Sequence, residues 1–286
     1  MRIAATHLTG HHVAPQHLKV SFIGAMNSTQ STTIRSSDND LYLEFENPDL
    51  VKTLVARTVF SEDEVSDGKC LFSTQERQRA VALIEEAKRL LQEISPDLYF
   101  LITQLIGSVA VYRIPERDGG SVSCCIGLIW LSPQREWKVE YCAEMLVHEF
   151  IHNSVFLEDM VRGIMPTPNL LDCDDALSIS AIRQTRRPYD KAFHSACVSA
   201  GIMYYYHLLG QDAVAYRYLP ALARTLTDLT QRCESLLSKQ LIVLTDNGRR
   251  LLGELNQFVA SGADFSLVEE SLAGQRYTAT TAANRG

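Results

Sequence analysis

At 286 residues the chain is long enough to bury a core without disulfides or a structural metal, so a metal site in it would serve chemistry. Its 46% hydrophobic and 21% charged residues exclude wholesale disorder. A net charge of −7 with no Lys/Arg-rich run excludes nucleic acid as an expected partner, and no apolar stretch suits a bilayer span or a signal core, so a cytoplasmic protein is expected.

Residues 1 to about 40 lack periodicity and are expected to be irregular, with 27–33 a loop. His7, His11, His12 and His17 fall there, fit no tight ligand spacing, and read as solvated residues. From 74 to about 93, Ala80, Leu83, Ile84, Ala87, Leu90 and Leu91 recur at three- and four-residue steps, which predicts an amphipathic helix ended by Ser95 and Pro96. A more apolar helix follows over 98–106. The period then changes: 109–114 and 122–131 read as two strands of a hairpin, joined through the turn chemistry of 115–120.

A helix starting near 136 or 139 and reaching 156 to 161 comes next, with Gly163 and Pro166 as stop signals. Further helices are predicted over 188–209, 214–240 and 244–259, and a disordered tail over 271–286. No repeat or linker divides the chain, so a single domain over 1–270 is expected. None of the seven cysteines stands in a C-x-x-C pair; they read as reduced core residues, including Cys124 and Cys125 in a strand-like run.

The chemistry is carried by His148-Glu149-Phe150-Ile151-His152, an H-E-x-x-H motif within a helix. Residues at i and i+4 share a face with Cβ atoms roughly 5–6 Å apart, close enough for two imidazoles to bind one ion. Met145, Leu146, Val147, Phe150 and Ile151 make the helix apolar enough to be buried, and buried His and Glu side chains need something to satisfy them. A hairpin followed by such a helix is the order in which a zincin-like sheet edge faces its metal helix. The expected fold is therefore α+β and zincin-like: a small antiparallel sheet on a metal-binding helix, then a mostly helical C-terminal half.

The third ligand would decide the reaction. Glu158 stands at the metzincin spacing, but Val155 occupies the position where that pattern needs a glycine. Asp172, Asp174 and Asp175 fall in a loop. His194, on the helix over 188–209 beside the small residues Ser195 and Ala196, is the better candidate. Arg183, Arg186, Arg187 and Lys191 crowd the start of that helix, where guanidinium groups would grip a carboxylate substrate or co-substrate.

Together, the H-E-F-I-H motif and the later Arg186-Arg187-Pro188-Tyr189-Asp190-Lys191-Ala192-Phe193-His194-Ser195-Ala196 segment resemble the H-E-x-x-H-motif peptide-modification proteins of bacterial natural-product clusters, which carry an R-P-x-x-x-x-x-H-type segment after the metal helix. The likeness spans about residues 100 to 210. It implies a zincin relative turned to iron(II) and 2-oxoglutarate-dependent oxygenation, hydroxylating an unactivated carbon of an amino acid or amino-acid residue. It further implies that His148, His152 and His194 bind iron and that Arg183, Arg187 or Arg186 holds 2-oxoglutarate. Ile182 and Ser195 replace a tryptophan and a glycine of that pattern, which bears on the substrate: a free amino acid, a peptide residue or a carrier-bound aminoacyl group. Two alternatives stand beside it. One is a zinc metallopeptidase with Glu149 as general base; the other is a non-catalytic binding module on a zincin fold.

Overall fold

Serine and asparagine caps decide where the helices of the first half begin. In the computed structural model, which describes residues 18–30, 32–37, 40–266 and 268, Ser73 accepts from the Glu76 amide while the Glu76 carboxylate accepts from the Ser73 amide. This reciprocal box starts the longest helix before the motif. The four N-terminal histidines and the predicted tail from residue 271 lie outside the described residues.

The chain divides into two compact units, residues 1–161 and 162–286. In the first, α1 (Leu18–Thr29) is followed by β1 (Tyr42–Glu44), α2 (Pro48–Ala56), the short α3 (Glu62–Val65), α4 (Thr74–Ile94) and α5 (Pro96–Leu105). Then come β2 (Ser108–Val111), β3 (Gly119–Gly120), β4 (Leu128–Leu131) and α6 (Val139–Arg162). Helix α1 corrects the expectation of an irregular N-terminal segment: Phe22, Ile23 and Met26 form a short buried stripe within it. Asn27 then closes the following turn, donating to the Ile34 carbonyl at 2.9 Å and accepting from its amide at 2.7 Å.

The sheet also departs from expectation. Its order is β1-β2-β4-β3, with β1 parallel to β2 and β2 parallel to β4; only β3 runs antiparallel, against β4. The predicted hairpin is therefore a parallel pair, and the sheet is mixed. The reason lies in burial: every residue of β2 and β4 is buried, so these strands carry continuous apolar runs without alternation, as strands covered on both faces do. The turn residues at 115–120 instead lead into β3, which lies so close to β4 that a Cβ on Gly120 would sit 2.6 Å from the Trp130 indole nitrogen. Phe60 packs edge-on against both Tyr112 and Trp130 under the sheet, with ring centroids 5.8 and 5.1 Å away.

A charged cluster centred on a buried lysine is built into this unit. The buried Lys88 ammonium donates to Asp40 at 2.6 Å and to Glu85 at 2.8 and 2.9 Å, and the Leu41 amide and the Tyr99 hydroxyl also donate to Asp40. Burial pushes the Asp40 carboxyl up, but the Lys88 bond, the Leu41 amide and the Lys88 charge outweigh it, leaving the carboxyl below its ordinary range. A folded-state pKa below the unfolded value near ~3.9 contributes stability that is present above that value and lost as pH falls through the folded one. Asp40→Asn is thus expected to flatten the acid limb of stability below about pH 4. Urea unfolding at a series of pH values checks this; an unchanged acid limb would refute it.

In the second unit a two-stranded ribbon, β5 (Ser178–Ile179) and β6 (Arg186–Arg187), precedes α7 (Tyr189–Leu208), the short α8 (Asp212–Ala215), α9 (Leu219–Ser238) and α10 (Asp246–Ala260). The helix predicted over 214–240 is broken at Tyr216–Tyr218, because Pro220 fits the first turn of a helix and not its interior. Tyr189, Phe193, Met203, Leu222, Leu229 and Leu236 form its core. Among the described residues no helix is long and apolar enough to cross a membrane. The architecture is α+β, mostly helical, with a small mixed sheet.

Candidate metal centre

Helix α6 is fixed by what it buries: Cys142, Leu146 and Leu157 recur on its inward face with Met145 and Val147 beside them. The i, i+4 spacing puts His148 and His152 one turn apart, with ring centroids 5.1 Å apart and planes at 52°. His152 in turn stacks on Phe156, with ring centroids 6.3 Å apart. Burial lowers His148 to about 4, opposed by the charge of Asp118, so its imidazole is neutral at physiological pH. A neutral imidazole is the form that binds a metal.

Glu149 is turned away from water, with only 3% of its side chain exposed. One carboxyl oxygen accepts from the Ser121 hydroxyl at 2.9 Å, and the other lies 3.9 Å from the nearer ring nitrogen of His148. Burial raises this carboxyl to about 8, against the lowering effect of the Ser121 bond. Ser121 directly follows the edge strand β3, and Asp118 directly precedes it. Asp118 accepts from the Tyr141 hydroxyl at 2.9 Å, so both ends of the edge strand are tied to α6.

Asn153, next to His152, completes the anchorage. It is fully buried, accepts from the Gly127 amide at 2.8 Å, and donates to the carbonyls of Glu149 at 3.1 Å and Leu128 at 3.4 Å. Neither Ser121 nor Asn153 stands out in the sequence, since each acts through a partner far along the chain.

The remaining sequence candidates belong to the second unit. His194 is buried on α7, at 8% exposure. Its neighbour Ser195 accepts from the Ala181 amide at 2.9 Å and donates to the Ala192 carbonyl at 2.7 Å, which ties the ribbon to the helix. Arg183 and Arg186 are exposed and Arg187 is half-buried. Arg186 and Arg187 are successive strand residues and so point to opposite faces of the ribbon. The three arginines therefore precede the helix rather than crowding its first turn, where Asp190 pairs with Lys191 at 2.9 Å. Among the described residues none of the three guanidinium groups has a carboxylate partner.

As donors, His148 and His152 suit one ion: two imidazoles on one helical face, at a spacing that two metal–nitrogen bonds of about 2.0–2.1 Å can span. Among the described residues no group of three or more His, Cys, Asp or Glu side chains is gathered as a metal-binding set. No family model matches the chain, and no curated protein matches it.

Proposed function

We propose that the protein is a metal-dependent oxygenase on a zincin-like fold, hydroxylating an unactivated carbon of an amino acid or amino-acid residue with 2-oxoglutarate and O2. His148 and His152 would hold iron(II). The observation that carries the metal reading is the His148–His152 pair, with rings 5.1 Å apart on a buried helix. An antiparallel edge strand tied at both ends to that helix supports the zincin-like reading.

Iron(II) with 2-oxoglutarate supplies the activation of dioxygen needed to break a C–H bond. The protein's own residues have narrower tasks. His148 offers a neutral imidazole nitrogen, His152 a second ring on the same face, and Ser121 fixes the Glu149 carboxyl. The resemblance assigns the co-substrate carboxylate to Arg183, Arg187 or Arg186, none of which has a carboxylate partner among the described residues. Glu149 favours the oxygenase over the hydrolase by its seclusion, since a general base for water should face water. The hydrolase reading draws on the same residue, because a carboxyl raised to about 8 has the proton affinity of a base working near neutrality.

Metal-free protein loaded anaerobically with iron(II) and 2-oxoglutarate is expected to develop the charge-transfer band of an iron–2-oxoglutarate chelate. His148→Ala and His152→Ala should each abolish it. Absence of the band in the wild type, together with tight zinc binding, would overturn the oxygenase reading and leave the zinc hydrolase.

A further inference from the structure

Cys124 and Cys125 do not lie in a strand. In a strand, successive side chains point to opposite faces, and adjacent thiols could not meet. Here they sit in a single 3-10 turn, Ser123–Cys125, which brings the two sulfurs to 3.8 Å. Cys124 is half-buried and reachable from solvent, whereas Cys125 is fully buried with its thiol against the Thr32 hydroxyl at 3.6 Å. An accessible thiol with a second one in van der Waals contact behind it is the arrangement of an oxidised cysteine and its resolving partner.

We propose that Cys124 and Cys125 form a redox modification site that closes to a vicinal disulfide when the protein meets a hydroperoxide. The hydroperoxide oxidises the Cys124 thiol to a sulfenic acid, its O–O bond breaking as the S–O bond forms, with release of water or an alcohol. The Cys125 sulfur then attacks the Cys124 sulfur, the S–S bond forms, the S–O bond breaks, and the hydroxyl leaves as water with the Cys125 proton. The two thiols lose two electrons and two protons, and the peroxide gains them. Adjacent Cα atoms lie about 3.8 Å apart, short of the usual disulfide range, so the ring is strained and readily reduced again.

Closure from 3.8 Å to a bond of about 2.05 Å must reshape the turn, and the two sides of it differ in how firmly they are held. On the C-terminal side Gln30 accepts from the Ile126 amide at 2.7 Å and donates to its carbonyl at 3.2 Å. Gly127 is bonded there to Asn153, Gly107 and Ser108. On the N-terminal side, between β3 and the turn, the contact to the helix is the Ser121–Glu149 bond. The movement is therefore taken up at 121–123, and Glu149 loses its hydroxyl partner. The disulfide stands without any reading of the metal; only its effect at Glu149 rests on the proposed function.

The test treats the reduced full-length chain with hydrogen peroxide, denatures it, alkylates free thiols and maps them by mass. Of the seven cysteines, five are expected to be alkylated, and the peptide 118–135 should carry both unlabelled ones and be about 2 Da lighter than its reduced form. Dithiothreitol should restore seven labels. Cys124→Ser, conservative at a half-buried position, should show no such loss of mass while its circular dichroism matches the wild type. Full labelling of that peptide after peroxide, pairing of either cysteine with another one, or a sulfinic acid at Cys124 beside a free Cys125 thiol would overturn the proposal.

Discussion

Asn153→Ala is expected to destabilise the first unit by about 3 kcal/mol, a larger effect than any surface change near the site would give. The side chain is fully buried, and its carboxamide oxygen ties helix α6 to the Gly127 N–H at the start of β4 at 2.8 Å. Truncation leaves that buried N–H without an acceptor, which costs about 1–3 kcal/mol, and opens a small cavity. Gly127 is poorly placed to relax, because its backbone is held at φ 96° and a Cβ there would lie 2.9 Å from Ile23. Amide exchange at Gly127 should accelerate accordingly, and the adjacent His152 should bind metal more weakly. Asn256→Ala provides the contrast: that side chain is half-buried and bonds Thr230 at 3.2 Å and the Leu252 carbonyl at 2.8 Å, so its loss should stay under about 1 kcal/mol. Equal effects of the two substitutions, or an unaltered Gly127 exchange rate, would show that Asn153 does not anchor the helix.

The difference between Asn153 and His148 explains what could be read from the sequence. Helices announce themselves locally: the step of three and four residues placed α4 at 74 to about 93 against the observed Thr74–Ile94, and α7 at 188–209 against Tyr189–Leu208. The His148–His152 pair was legible for the same reason, since one helical turn is a local distance. Strands of four wholly buried residues carry no alternation, so β2 and β4 gave away neither their extent nor their parallel pairing. Ser121 and Asn153 were illegible because their partners lie 28 and 26 positions away, across a connection whose path depends on that pairing. Periodicity places Cys124 and Cys125 in a strand-like run as core residues. A turn of the chain, invisible to periodicity, is what brings their sulfurs together.

Glu149→Gln separates the two readings of the site most sharply, because it changes chemistry while conserving shape. Glutamine keeps the length and planar end of the side chain, and its carbonyl oxygen can accept from Ser121 as the carboxyl does. Burial already favours the uncharged carboxyl, so an uncharged amide should leave the unit at least as stable. In the oxygenase, Glu149 positions its neighbours and carries no proton through the reaction, so 2-oxoglutarate turnover, followed as succinate without knowledge of the carbon substrate, should stay within about tenfold of wild type. In a hydrolase the carboxylate must take a proton from water, and an amide cannot do so. Zinc-dependent cleavage of a peptide library should then fall by about 10²–10⁴-fold. Ser121→Ala adds the positioning test: removal of the hydroxyl frees the carboxyl without altering its chemistry, so an oxygenase should lose coupling between succinate formation and product while retaining turnover. A loss of succinate formation of about a hundredfold or more in Glu149→Gln, with iron still bound, would make Glu149 a proton-transfer residue and end the positioning role assigned to it.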